Sequence, residues 1–354
     1  MLNFIRSLSN LKVPIFSSFS ICFDMGTNNT RIGIKGKGKV LSEPTYIGYN
    51  SLNKEYIFFG KEAQSIIGKT PDFIKIISPV GSGVISDFDA QTVLMRHFLE
   101  KSADPYLKPY LIIKPQLHAI AAIPKIATEI EQKAVEEVLA KVGMSNVKLI
   151  ENSIASAIGS GVNVFHHRPH LLAHLGGGLI ELSIISGGGI VVEKTLKTAG
   201  NHMNHVLYNY VYLKHGVILG EQTCEKMKTS LMSFEDEGKT LMVRGKSLEN
   251  GLPKSVRVKS ADVKEALLTN FMHLVDALKE LIEISPPEVV DEVYTNGILL
   301  SGGLANIKGI DRFFAGELKI DVQIAEQPSD SVILGLLKIS SDFDSLNRLS
   351  ISSR

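Results

Sequence analysis

The chain has 354 residues, 44% of them hydrophobic, which is enough to bury a large core and to fill about two domains of ordinary size. Lys plus Arg number 38 against 37 Asp plus Glu, a net charge of +1, so no global field draws the chain to nucleic acid or to an acidic polymer. Two distant cysteines, Cys22 and Cys224, exclude a disulfide framework and a C-x-x-C metal site, and a reducing cytoplasm is the expected compartment.

In chain order, Met1 to Val13 (MLNFIRSLSNLKV) places Phe4, Leu8 and Leu11 on one helical face, with Leu2 and Ile5 in the same apolar set and Arg6 and Lys12 able to reach lipid phosphate. Packing of this leader on its own domain is the alternative. Pro14, Ser17, Ser18 and Ser20 break the apolar block, and an A-x-A cleavage site is missing, which argues against a secretory signal. Phe19 to Lys35 alternates apolar and polar residues around Gly-Thr-Asn-Asn, the pattern of a hairpin with a slightly long loop. Helical spacing follows over Asp89–Lys101 and Thr128–Val142, on either side of the strand-like Leu117–Ile123. Between them Asp104 to Pro115 (DPYLKPYLIIKP) holds Tyr106, Leu107, Tyr110, Leu111, Ile112 and Ile113, a sizeable apolar patch if exposed.

About 150 residues after the first hairpin the design recurs: His170 to Ser186 reads strand, glycine turn, strand, and Ile190–Leu196 reads as a third strand. The apolar stretch Leu171–Val192 is no membrane span, since it carries His174, Glu181 and six glycines. Gly220–Leu231 and Ser260–Ile284 are helical in pattern, Gly297–Ser301 is a short buried strand, and Ser331–Phe343 is the last helix. The serine-rich tail, residues 344–354, is expected to fray. Strands alternating with helices in two similar units predict an α/β fold of duplicated domains.

A phosphate is held by several backbone N–H groups converging on one concavity, and small residues let the backbone come that close. Three glycine turns suit this: Asp24-Met25-Gly26-Thr27-Asn28-Asn29, Gly176-Gly177-Gly178, and Ser301-Gly302-Gly303-Leu304-Ala305. Each alone is equally well an ordinary strand reversal. Their order and spacing resemble the superfamily of actin, heat-shock chaperone and sugar kinase ATPases. Gly36-Lys-Gly-Lys-Val-Leu-Ser-Glu-Pro44, Gly83-Val-Ile-Ser-Asp-Phe88, Ile150-Glu151 with Ala155 to Gly161, Gly188-Gly-Ile-Val-Val192, Ile218-Leu-Gly-Glu-Gln-Thr223, Gly251-Leu-Pro-Lys254 and Ser285-Pro-Pro-Glu288 narrow the resemblance to the bacterial actin homologue MreB, over about Ile21 to Ile339.

That resemblance implies actin-like duplicated domains flanking a central nucleotide cleft, in four subdomains. By that mapping, after a leader of residues 1–20, domain I takes 21–158 and 327–343 with a small subdomain at about 48–80. Domain II takes 159–326 with one at about 197–257. It implies ATP or ADP with Mg²⁺ in the cleft, phosphates between Gly26, Thr27, Asn28, Asn29 and Gly176, Gly177, Gly178, and the base between Gly302, Gly303, Leu304, Ala305 and a helix carrying Glu225 and Lys228. An ordinary helix surface is the alternative for that Glu and Lys pair. Asp24 would orient hydrated Mg²⁺, and Glu131 would position the attacking water, though Thr128-x-x-Glu131 is also a capping box. The implied partners are further copies of the chain, the inner face of the cell membrane, MreB paralogues and other cytoskeletal proteins, and no nucleic acid. The membrane contacts would be the leader and the loop bearing Tyr106, Leu107, Leu111 and Ile112.

Two positions of the hydrolytic site depart from the family pattern. Where that pattern is D-I-G-G-G-T, this chain has His174-Leu175-Gly176-Gly177-Gly178-Leu179, an imidazole for the second carboxylate and an isobutyl group for the hydroxyl. Mg²⁺ strongly prefers oxygen ligands, so hydrolysis is expected to be slow or absent. A small-molecule phosphotransferase and a chaperone-type ATP switch are the alternatives. The first lacks a spare carboxylate in a kinase-like motif, and the second a peptide-binding region after the core.

Overall fold

The computed structural model describes residues 18–107, 115–235 and 238–351. β1 (Ser18–Met25) and β2 (Asn29–Ile34) form the expected hairpin, in a register that sets Asp24 opposite Arg31. β3 (Gly38–Pro44) pairs antiparallel with β2. A small sheet follows from β4 (Ile47–Asn50), β5 (Glu55–Phe59) and β6 (Ile74–Ile77), then the short ribbon β7 (Val80–Gly81) and β8 (Val84–Ile85). β9 (Gln116–Ile123) runs parallel to β1, and β10 (Asn146–Glu151) parallel to β9. The first large sheet therefore has the order β10-β9-β1-β2-β3.

The second half repeats this topology. β11 (His170–Leu175), β12 (Ile180–Ser186) and β13 (Gly189–Leu196) form an antiparallel meander. β14 (Val217–Ile218), β15 (Thr240–Ser247) and β16 (Pro253–Lys259) make a second small sheet. β17 (Ile298–Ser301) and β18 (Val322–Ile324) then add parallel strands beside β11, giving β13-β12-β11-β17-β18. Each large sheet is thus a three-strand meander extended by two parallel strands, the arrangement that a duplicated α/β unit predicts.

Local chemistry accounts for two of the helix starts in the first half. Asp87 caps Phe88–Ser102 by accepting from the Ala90 N–H at 3.0 Å, and Thr128 caps Glu129–Lys141 within a complete capping box. The buried side chains fall into one core around each large sheet and a third between the two, where helices Asn152–Gly159 and Ser331–Ser341 cross. That crossing is close: a Cβ on Gly335 would lie 1.7 Å from the Ala155 carbonyl oxygen, and one on Gly159 would lie 1.7 Å from the Ser331 carbonyl oxygen.

Two expectations are corrected. The serine-rich tail does not fray where it is described: Phe343–Leu349 is helical, capped by Asp342, and Ile351 bridges to Leu149. Phe343, Leu346 and Leu349 recur at helical spacing, and burial of Leu349 with packing of Leu346 outweighs the polar composition. Leu107 is not presented outward for a membrane; it ends the short helix Asp104–Leu107 and packs against the first core, while Tyr106 is 37% exposed. Leu111 and Ile112, and the leader residues Leu2, Phe4, Ile5, Leu8 and Leu11, lie outside the described residues. Among the described residues no helix is long and apolar enough to cross a membrane.

Candidate functional site

The three glycine turns converge on one cleft of about 370 Å³, within the range of small-ligand sites. Its lining includes Gly26 to Asn29 after β1, Gly176 to Gly178 after β11, and Gly302 to Leu304 after β17. The first two turns meet face to face. A Cβ on Gly178 would lie 2.1 Å from Thr27 Oγ1, and one on Gly177 2.5 Å from Asn28 Nδ2, so only bare backbone fits there. Gly302 adopts φ +84 and would drive a Cβ to within 2.4 Å of the Leu175 carbonyl oxygen, so its backbone lies directly against the end of β11.

The same turns are clasped across the cleft. Asn28 and Asn201 exchange side-chain amide hydrogen bonds, each 2.8 Å, and the Gly83 N–H donates to Thr27 Oγ1 at 2.9 Å. Farther out, Gln222 Nε2 donates to the Gln64 carbonyl, joining the helix Glu221–Leu231 to Lys61–Ser65. The helix Glu221–Leu231 also brings Glu225 and Lys228 to the lining. Lys228 is buried and donates to the Gly200 carbonyl at 2.8 Å and to Glu225 at 2.7 Å, and Asn204 Nδ2 donates to the same Glu225 oxygen. Burial lowers the Lys228 ammonium pKa, while Glu225 holds it up. This pair is part of the cleft wall, and Lys228 is no solvated helix surface.

Beside the second glycine turn, His174 lies among serines. Its Nδ1 is 3.0 Å from Ser301 Oγ and 3.3 Å from Ser156 Oγ, and Ser156 Oγ lies 2.8 Å from Ser301 Oγ and 2.9 Å from Ser331 Oγ. Burial, with the nearby Arg31 charge, pushes the imidazole down to about 4, so it is neutral at cellular pH. Leu179 lies over Gly83, with the side-chain methyl close enough that a Cβ at Gly83 would lie 2.8 Å from it. Glu131 does not reach the lining; its Oε2 accepts from the Thr128 N–H at 2.7 Å and from Thr128 Oγ1 at 2.9 Å.

Two cleft residues, Arg31 and Glu181, escape a reading of the sequence alone. Arg31 donates to Asp24 and to Asp330, each at 3.0 Å, and Lys39 also reaches Asp330. Burial raises the Asp24 carboxyl pKa and the Arg31 charge pulls it back. Glu181, opposite His174 in the β11–β12 register, is buried; it accepts from Asn152 Nδ2 at 3.0 Å and from the Lys125 N–H at 3.4 Å. A signal exists for both: Asp24 with Arg31 and His174 with Glu181 have the same offset across equivalent turns, which marks them as facing pairs once the hairpins are assigned.

Burial pushes Glu181 up from 4.5 to about 7, against the bonds from Asn152 and Lys125, with Glu193 and Glu151 adding to the rise. The folded state then holds a proton that the unfolded state releases, so stability is full below about pH 4.5 and is lost as pH rises through 7. Glu181→Gln removes this loss, and its melting temperature relative to the natural chain is expected to rise by several degrees between about pH 5 and pH 8, a swing on the order of 3 kcal/mol. Parallel melting curves for the two proteins across that range would refute the assignment.

Mg²⁺ takes oxygen ligands in a near-octahedral shell. The donor set here does not fit it: Asp24 is already engaged by a guanidinium, and the facing position offers an imidazole nitrogen. Among the described residues no group of three His, Cys, Asp or Glu side chains is placed to hold a metal. The glycine cradle does fit phosphate, since Gly26, Gly176, Gly177 and Gly178 carry no side chain, have room for none, and leave bare backbone at the turns.

The model of the MreB/Mbl protein family matches residues 18–348. The chain belongs to the MreB/Mbl family. Within it, the chain is similar to the cell shape-determining protein Mbl of Bacillus subtilis (strain 168), 32% identical over 94% of this chain and 98% of that protein. It is also similar to MreB5 of Spiroplasma citri, solved bound to AMPPNP (TM-score 0.86, 29% identity, 92% of this chain and 96% of that one) and to ADP (TM-score 0.87, 29%, 94% and 98%). A MamK double helical filament, at 16% identity and TM-score 0.76 over 92% of this chain and 100% of that one, shares the fold. The family's actin-like architecture is therefore the architecture of this chain, with the duplicated sheets flanking the cleft.

Proposed function

We propose that this chain binds ATP or ADP in the central cleft and polymerises with its own copies into cytoskeletal filaments that act in cell shape, with slow or absent hydrolysis. The observation that carries the reading is the pair of glycine turns meeting across the cleft, Gly26 to Asn29 and Gly176 to Gly178, each too crowded for a side chain at its glycines. Family membership supports the filament, and the nucleotides bound by Spiroplasma citri MreB5 support the ligand. In this reading the two turns hold the phosphates, while Gly302 to Ala305 and the wall formed by Glu225 and Lys228 hold the base and ribose.

Slow turnover follows from what the phosphate end carries. Water attack on a γ-phosphate needs polar groups that fix the water and stabilise developing charge. Leu179 presents methyl groups, His174 is neutral, and Glu131 is engaged at a helix start. Attachment to the inner face of the cell membrane belongs to the same reading, through the amphipathic leader and the apolar residues Tyr106, Leu111 and Ile112, with filament avidity adding to weak individual contacts. MreB paralogues are the partner proteins it implies. High-speed sedimentation of the full chain with ATP, with ADP and without nucleotide tests the function. A pelleted polymer with ordered filaments in negative stain is expected, and a chain that stays monomeric well above micromolar concentration under all three conditions would sink it.

A further inference from the structure

The phosphate end of the cleft carries a cation of its own. Arg31 and Asp24 are directly opposite each other on β2 and β1, so their side chains share one face, and both line the cleft. The guanidinium is fixed from two sides: Nη1 donates to Asp24 Oδ2 at 3.0 Å and Nε to Asp330 Oδ1 at 3.0 Å, with 15% of the side chain exposed. A largely enclosed carboxylate such as Asp24, 13% exposed, is stabilised by a positive partner, and here the chain itself supplies one. These bonds use two of the five N–H donors of a guanidinium, a group whose planar fork matches phosphate oxygens.

Charge matching points the same way. A metal-bridged phosphate site sets carboxylates around a divalent ion, whereas here Asp24 and Asp330 are balanced by Arg31 and Lys39. The facing position, His174, adds neither a negative charge nor an oxygen donor. A divalent ion entering beside Arg31 would meet like charge and no free carboxylate of that pair. We propose that the Arg31 guanidinium, anchored between Asp24 and Asp330, takes the place of the divalent cation toward the polyphosphate, so that ATP or ADP binds this chain without Mg²⁺. The proposal rests on the nucleotide-binding function above.

The test is a titration of fluorescently labelled ATP into the full chain, in excess EDTA and in excess Mg²⁺. The dissociation constants are expected to agree to less than about fivefold, and Arg31→Leu is expected to weaken binding in EDTA by about tenfold or more, the loss typical of a charge-assisted contact. Arg31→Leu combined with His174→Asp provides two uncommitted carboxylates and is expected to bind at least about tenfold more tightly with Mg²⁺ than without. Arg31→Lys keeps the charge without the fork; it guards against loss of folding in the leucine variant and is expected to weaken binding in EDTA several-fold. A natural chain that gains fivefold or more from Mg²⁺ overturns the proposal and leaves nucleotide binding standing. So does binding in EDTA that neither Arg31 variant weakens. No binding in either medium overturns the nucleotide function itself, and this proposal with it.

Discussion

Phosphate release from ATP is expected to rise by about 10²-fold or more when His174→Asp and Leu179→Thr are combined, measured under polymerising conditions beside the natural chain. The geometry gives each change a separate task. At residue 179 the natural side chain lies close over Gly83, next to the third glycine of the turn, and a threonine there is smaller and adds a hydroxyl. At residue 174 an aspartate replaces a neutral imidazole with an oxygen donor beside Ser301 and Ser156, which can donate hydrogen bonds to it. Either change alone leaves the attacking water under-positioned, so the gains of the two single variants, multiplied together, are expected to fall short of the gain of the double variant. Adding Arg31→Leu frees Asp24 and is expected to raise the rate of the double variant again. A natural chain that already releases phosphate at the double variant's rate would show that other groups position the water.

The second large effect concerns stability. Gly335→Ala is expected to destabilise the protein by roughly 3 kcal/mol or more, read from the denaturant midpoint at unchanged slope. Inside a helix this substitution ordinarily gains up to about 1 kcal/mol, so propensity alone predicts the opposite sign. The sign is reversed because the added carbon would lie 1.7 Å from the Ala155 carbonyl oxygen and 2.6 Å from its carbonyl carbon, backbone atoms of the partner helix that no rotamer can move aside. Relief requires the two helices to separate, and with them Ser156 and Ser331, whose hydroxyls are 2.9 Å apart beneath the cleft. Gly303→Ala is the control, since a Cβ there meets nothing within 4 Å. Equal midpoints for the two alanine variants would show that the crossing has slack.

How much of this was legible in the sequence depended on range. The first hairpin, Thr128 as a helix cap and the buried strand before Gly302 are set by neighbours a few residues apart, and they stand where the pattern placed them. The three glycine turns were recognisable as a set because the duplicated design repeats them. Arg31 was not, since in a strand pattern it reads as one more polar alternate, and its second partner, Asp330, is 299 residues away. Glu181 was hidden in the same way; only the tertiary burial of β12 turns a polar strand position into a carboxyl that titrates near neutrality. The tail misled for a different reason. Its serines advertise fraying, whereas Asp342 accepting from the Asp344 and Ser345 N–H groups is a cap that starts a helix.

The amide exchange between Asn28 and Asn201 bears on what a bound ligand can still change. Uncharged donors and acceptors hold at any physiological pH and are little screened by salt, so the two halves stay latched over the range of conditions a cell meets. A ligand shifts a conformational balance only by the difference in its affinity for the two arrangements, and a latch that already favours one arrangement leaves that difference little to do. In the nucleotide-binding reading proposed above, the ligand would act as a keystone more than a trigger, filling and stiffening a shape already held by this pair. In that same reading control of assembly would fall to supply, meaning how many copies are made and how many neighbours each one finds.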